Sequence, residues 1–273
     1  MWWGYAALIT TLAAGTIITL YTTRGFHGNI GCNDAVRRRC EPGEPSVCRK
    51  KTCRGTTVGG KTFKRAMLAI HTELRKRPSA NGSYGGDMNL LTWDDQLARG
   101  ALAWAHYLCI EGKVDHDENK CRVTERYDSV GQNVVVKSGR DYSNETLAAR
   151  EAAKIWYDEI DKMPPDAMFP FRWTVEAGHY TALVWSRSYK IGCGLVKKPV
   201  PRSGYKAYVV CNYSPSGNVR GANYNVFEPS KKLANACRPG TRKGKSGLCE
   251  IRNEIEYRKH LGLITVPPPK THS

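Results

Sequence analysis

No two of the ten cysteines stand as C-x-x-C, which takes away the usual zinc-ribbon and dithiol redox motifs. Acidic residues are few: 25 Asp and Glu face 42 Lys and Arg, a formal net charge of +17. The first 23 residues contain no Asp, Glu, Lys or Arg at all, and the run is broken only at Arg24. Its apolar and small residues extend for about one bilayer crossing. Residues 1–25 therefore read as a signal peptide or a signal anchor. The stretch also lacks a basic start and a clean A-x-A site, so the cut is not fixed. Removal is the preferred reading, because everything downstream looks extracellular. The protein is then secreted, or membrane-anchored if the leader stays.

What is present agrees with that compartment. All ten cysteines (Cys32, Cys40, Cys48, Cys53, Cys109, Cys121, Cys193, Cys211, Cys237, Cys249) follow the leader. An even set behind a leader points to a disulfide framework, whose pairing spacing alone does not give. Asn81-Gly-Ser83 and Asn144-Glu-Thr146 are glycosylation acceptors. Asn212-Tyr-Ser214 fits the same pattern, but Pro215 follows and no glycan is expected there. The basicity sits in the flanks: residues 24–65 hold 11 basic and 3 acidic residues, 66–229 hold 21 and 19, and 230–273 hold 10 and 3. Such clusters favour polyanions by counterion release. Outside the cell these are glycosaminoglycans and anionic membranes, not nucleic acid. The rival reading is a solvated surface that only keeps a monomer soluble.

Residues 26–60 form a Cys-rich arm without helical or strand periodicity. Phe63, Met67, Ile70 and Leu74 then recur at helical spacing until Pro78 stops the pattern. A second helix has Asp94 as its N-cap, Leu97, Ala101, Trp104, Ala105 and Leu108 on one face, and Gly112 at its end. Residues 132–136 read as a short buried strand and 143–160 as a third helix. Residues 191–196 and 205–213 read as an antiparallel hairpin in which Cys193 faces Cys211. Gly192 and Gly194 are taken to let the strand bend beside that staple. The 168–173 stretch, MFPFRW, reads as a cap on the core, with an exposed lipid-binding loop as its rival. Residues after 230 look appended, not core. The class is α+β, in layers.

Few polar residues stand where apolar ones are expected. His116 follows the second helix, Gln132 opens the buried strand, Glu159 lies one turn beyond Ile155, and His179 precedes an apolar run. Spacing does not tell whether these meet. His71, near the core face of the first helix, reads as structural, and His106 and His260 carry no signal. Thr181 follows His179 by two, but nothing marks an activated nucleophile or an oxyanion hole.

The segments GHYTALVW, YVVCNYSPSGN, HTELR and HDENKCRVTERYDSVGQNV resemble the CAP superfamily: cysteine-rich secretory proteins, antigen 5 and pathogenesis-related 1. The early cysteines and VGQNV resemble the arthropod venom and salivary antigen 5 branch. The resemblance implies a three-layer α-β-α sandwich over 61–228, with 229–273 as a basic C-terminal extension. It also implies a cleft in which His116, Gln132, Glu159 and His179 occupy the places of the family's two His and two Glu. Gln132 departs from the tetrad, and an amide cannot serve as a general base. Two imidazoles and one carboxylate match the ligand count of a catalytic zinc site, yet leave no separate base. A polar network without metal and a Zn²⁺ site at His116 and His179 both stay open. The implied disulfides are Cys32–Cys48, Cys40–Cys121, Cys53–Cys109, Cys193–Cys211 and Cys237–Cys249. The expected function is non-enzymatic binding outside the cell, to a small hydrophobic ligand such as a lipid or sterol, a host receptor or channel, or a glycosaminoglycan. No cofactor is required. A metal-assisted hydrolase using His116, His179 and Glu159 is one alternative, and an allergen-like scaffold without cleft chemistry is the other.

Overall fold

The computed structural model describes residues 53, 56–58, 60–112, 114–139, 142, 144–221 and 223–264. The leader, most of the Cys-rich arm and the expected Cys32–Cys48 bridge lie outside the described residues. In chain order the elements are β1 (Thr56–Val58), α1 (Lys61–Leu74), β2 (Tyr84–Gly85), β3 (Thr92–Trp93), α2 (Asp95–Glu111), α3 (Asn119–Arg122) and β4 (Gly131–Gly139). There follow α4 (Glu145–Tyr157), α5 (Gly178–Leu183), β5 (Lys190–Val200), β6 (Gly204–Ser214), β7 (Pro229–Ser230), β8 (Thr241–Lys243), β9 (Cys249–Ile251) and α6 (Glu254–His260). Among the described residues no helix is long and apolar enough to cross a membrane.

The β5–β6 hairpin is the centre of the fold. β1, β5, β6 and β4 lie side by side and antiparallel, and β3 adds to β5 in parallel. Alternation sorts their side chains between two helical layers. Ile191, Cys193, Leu195, Ala207, Val209, Cys211 and Tyr213 join the core built by α1, α4 and α5. Val134, Val196, Tyr208 and Val210 face α2 with Ala101, Trp104, Ala105 and Leu108. This is an α-β-α sandwich.

The helices start and stop where local chemistry dictates. Asp94 accepts from the backbone N–H groups of Gln96 and Leu97, and Gly112 ends α2 at φ 70°, where L residues are strained. Asn144 caps α4 in the same way through the N–H groups of Thr146 and Leu147. Gly192 and Gly194 serve a close approach that the sequence does not register. A Cβ at Gly192 would stand 2.1 Å from the nitrogen of Ala98, and one at Gly194 would stand 2.3 Å from the Cα of Leu102. Their missing side chains let the α2 backbone lie directly on β5.

Two buried polar centres fix the layers. His71 has no exposed surface; its Nδ1–H donates to the Met67 carbonyl at 2.8 Å, and its Nε2 accepts from the Tyr213 hydroxyl at 2.9 Å. Arg75 is also buried, and its guanidinium donates to the carbonyls of Asn89, Leu183, Trp185 and Ser188. Burial lowers its pKa to about 10, opposed by Tyr257, Tyr213 and Asp87, so Arg75 is a cation at neutral pH. It holds the connector between α5 and β5 in place.

The segment after 230 is not an appendage. Leu248, Cys249 and Tyr257 are fully buried. Cys249 exchanges backbone hydrogen bonds with Met88 and Leu90. Asp87, itself buried, accepts from Arg238, the Ser186 hydroxyl and the backbone of Glu228. Tyr257 accepts from the Asn89 side chain and donates to the Arg187 carbonyl. Composition alone made these residues look peripheral, because the few that anchor the module are spread among lysines and glycines.

Candidate functional site

His116 and His179 come from opposite sides of the central strands and meet with ring centroids 5.8 Å apart and planes inclined by 32°. The loop carrying His116 leaves α2 at Gly112. It is held by Trp104, whose Nε1–H donates to the Asp115 carbonyl at 2.9 Å, and by Asp115, whose carboxylate accepts from the His116 backbone. Cys121, in α3 just beyond, is disulfide-bonded; its expected partner Cys40 lies outside the described residues. His179 is the second residue of α5.

Gln132, at the start of β4, is fixed from three sides. Its Oε1 accepts from the Asp117 backbone N–H at 3.0 Å, its Nε2 donates to Asn212 Oδ1 at 3.1 Å, and Asn212 in turn donates to the Leu97 carbonyl. Since the oxygen faces Asp117, the 3.2 Å contact between Oε1 and His116 Nδ1 requires the imidazole to be the donor. Nε2 of His116 then carries the lone pair. Burial of the packed part of the ring holds its pKa below the ordinary histidine value. The Gln132 hydrogen bond opposes this, His179 and Arg122 reinforce it, and Asp115 opposes it. The residue nevertheless remains open to solvent.

Glu159 lies in the 3₁₀ turn Asp158–Lys162 that follows α4, not on the helix itself. Its Oε1 accepts from His179 Nδ1 at 2.6 Å, and its Oε2 accepts from the backbone N–H groups of His179 and Tyr180 at 2.8 and 3.2 Å. Glu159 therefore lies against His179. The carboxylate is occupied by three N–H donors, where it orients the imidazole and caps α5. Both histidines are thus held through Nδ1, with Nε2 left over on each. Among the described residues no group of three or more His, Cys, Asp or Glu side chains is arranged to hold a metal ion.

Thr181 offers no nucleophile: its hydroxyl is buried and lies within reach of Ala177 O, Gly178 O and Asn218 Oδ1. Asn133, which donates to the His179 carbonyl, and Asn218, which donates to the Gly178 carbonyl, position α5 and were not singled out from the sequence. Their signal is their place within the VGQNV and SPSGN segments. The 168–173 stretch buries Met168 and Phe171, while Trp173 is surface-exposed, lying over Gly178 with the Arg220 guanidinium 4.5 Å from its ring centroid. Disulfides join Cys53 to Cys109, Cys193 to Cys211 and Cys237 to Cys249. Asn81 and Asn144 are exposed, and Asn212 is buried.

Comparison with known proteins agrees with this geometry. The family model described as the cysteine-rich secretory protein family, CAP, matches residues 68–213. Venom allergen 3 of Solenopsis invicta is 32% identical over 212 residues, covering 70% of this chain and 83% of that protein. Venom allergen 5 of Dolichovespula arenaria is 32% identical over 207 residues, covering 69% and 96%. In fold, the chain is similar to the solved structure of BmVAL-1, with a TM-score of 0.55 and 24% identity over 70% of this chain and 95% of that one. It is equally similar to the structure of NaASP2 with Zn²⁺, with a TM-score of 0.55 and 21% identity over 70% and 96%. Two imidazoles presented from α5 and the loop after α2, an α-β-α sandwich around a stapled hairpin and these matches agree: the chain belongs to the cysteine-rich secretory protein (CAP) family, with venom antigen 5-like affinity.

Proposed function

We propose that this protein acts outside the cell by binding, without turnover, and that the His116–His179 pair is the polar centre of its binding cleft. The observation that carries this reading is the state of the two acid positions. Gln132 cannot ionise, and the Glu159 carboxylate is consumed by three N–H donors. Neither of the two acid positions is therefore free to activate water as a general base.

The residues fit a divalent cation in part. The Nε2 atoms of His116 and His179 supply two neutral nitrogen ligands, fewer than the three protein ligands of catalytic zinc sites and the four of structural ones. Zn²⁺ held there would supply a Lewis-acid centre whose remaining positions are open to water or to a polar group of the bound partner. The Zn²⁺ in the NaASP2 structure supports the same expectation for this chain. For lipid or sterol, the hollow between α4 and the sheet, lined by Val135, Ala148, Ile155 and Val209 among others, has room for no more than about one water molecule, far less than an ordinary ligand pocket. A hydrophobic ligand would have to open it.

Calorimetric titration of Zn²⁺ into the metal-stripped secreted protein, beside a His116→Ala/His179→Ala variant, tests the reading. One-to-one binding that disappears in the variant is expected, with no hydrolysis of ester or peptide substrates in either protein. Absence of heat in the unmodified protein would reduce the cleft to a structural network, as in an allergen-like scaffold. Zinc-dependent turnover lost with the two histidines would establish the hydrolase instead.

A further inference from the structure

We infer that the C-terminal module, residues 229–264, is a docking surface for a sulfated glycosaminoglycan, independent of the cleft. The module holds 9 basic and 3 acidic residues. Two of the three acids are paired within the fold, and the third, Glu256, is exposed on α6. Glu250 pairs with Arg252 and accepts from Ser246, and Glu254 lies beside Arg126 and Lys190. Arg238 is likewise consumed by Asp87 and Glu228. Arg258 donates to the Arg126 carbonyl and Lys259 is exposed on α6, while Lys231, Lys232, Arg242, Lys243 and Lys245 lie on the β8–β9 hairpin and the turn before it, all exposed and none paired with a carboxylate among the described residues.

These five belong to one place. Lys243 Nζ donates to the Leu233 carbonyl at 2.8 Å, which joins the 231–233 turn to β8. Lys245 lies in the loop between β8 and β9, and at the far side of that loop Gly247 approaches Lys76, just past the end of α1. The patch is also pre-formed. The Cys237–Cys249 bridge, the pair of Arg238 with the buried Asp87 and the Cys249 hydrogen bonds to Met88 and Leu90 hold its backbone before any partner arrives. A pre-formed backbone carrying several unpaired cations suits a chain of closely spaced sulfates, whose counterions are released on contact, and the backbone needs no ordering on binding. The hairpin and the 231–233 turn expose no large apolar side chain. The module's exposed Ile255 lies on α6, so the patch carries nothing to insert into a bilayer.

The test is retention on immobilised heparin, with equilibrium binding measured across a salt series. A Lys231→Ala/Lys232→Ala/Arg242→Ala/Lys245→Ala variant removes side chains that make no hydrogen bond among the described residues and leaves Lys243 in place. Its affinity at 0.15 M salt is expected to fall about tenfold or more, and its dependence of log Kd on log salt to become shallower by about 2 to 4. An Arg37→Ala/Arg38→Ala/Arg39→Ala control in the arm is expected to keep the unmodified affinity. Unchanged binding by the fourfold variant, or loss confined to the arm control, would overturn the assignment. So would binding of the unmodified chain to phosphatidylserine vesicles but not to heparin. Chemical-shift mapping with a heparin oligosaccharide on the unmodified chain decides the point without substitution: shifts centred on 231–245 support it, and shifts centred elsewhere refute it.

Discussion

Acidification provides a direct test of the core. His71 is enclosed, donating to Met67 through Nδ1 and accepting from Tyr213 through Nε2. A second proton would have to enter between Nε2 and the tyrosine hydroxyl, close to the buried Arg75. Burial lowers the folded pKa to about 4, opposed by the Met67 hydrogen bond and reinforced by Arg75; the ordinary value is 6.5. The sign follows. Above pH 6.5 neither state binds the proton. Below it the unfolded chain does and the folded chain does not, so stability falls with pH until about pH 4. The accumulated loss from this one residue is about 3 kcal/mol, a large part of the stability of an ordinary domain. Urea unfolding of the disulfide-intact protein at several values between pH 7.5 and 4, beside His71→Gln, isolates it, because carboxylate contributions are common to both chains. The variant is expected to be less stable at pH 7.5 but to lose about 3 kcal/mol less on acidification. Parallel curves would refute the assignment of His71 as the buried neutral group.

Other outcomes follow from single contacts. Gly192→Ala or Gly194→Ala would drive a methyl into the α2 backbone and should cost about 3 kcal/mol in urea unfolding. Arg75→Lys cannot reach four carbonyls at once and should destabilise by a similar amount, about 3 kcal/mol, read as a lowered thermal midpoint. Gln132→Glu places a carboxylate against His116 Nδ1, so the His116 pKa should rise in an NMR titration and Zn²⁺ affinity should increase. Asn81 Oδ1 accepts from the Ser79 hydroxyl and the Ser83 N–H, Asn144 Oδ1 accepts from the N–H groups of Thr146 and Leu147, and neither makes a hydrogen bond through the amide nitrogen among the described residues. Glycans removable by an amidase are therefore expected at both, and Asn144→Asp should lose one glycan while keeping the α4 cap.

Much of the scaffold could be read from local chemistry. Asp94 and Gly112 bound α2 because capping is decided within a few residues, and the Cys193–Cys211 hairpin follows from two apolar runs of matching length. The close approach at Gly192 and Gly194 is not legible in sequence, because a glycine in a strand serves a bend and a close approach equally well, and only the position of α2 reveals the second. Glu159 was placed in the site by resemblance, but its role depends on the 3₁₀ turn that aims it at three N–H donors, and helical periodicity does not register that turn. The C-terminal module was misjudged for the opposite reason. Asp87, Asn89 and Arg238 are ordinary polar residues in sequence, and their burial depends on partners 151 and 168 positions away.

The way that module is fastened sets what a protease could do to it. Its one bridge, Cys237–Cys249, closes on itself, so past Lys231 and Lys232 no disulfide ties the module to the rest of the described chain. Both lysines are exposed, and a trypsin-like cut there would divide the polypeptide without parting the fold. Asp87 would keep Arg238, and Tyr257 would stay between Asn89 and Arg187. The nicked protein would behave as one particle in native solution and as two fragments on a denaturing gel, even with every disulfide intact.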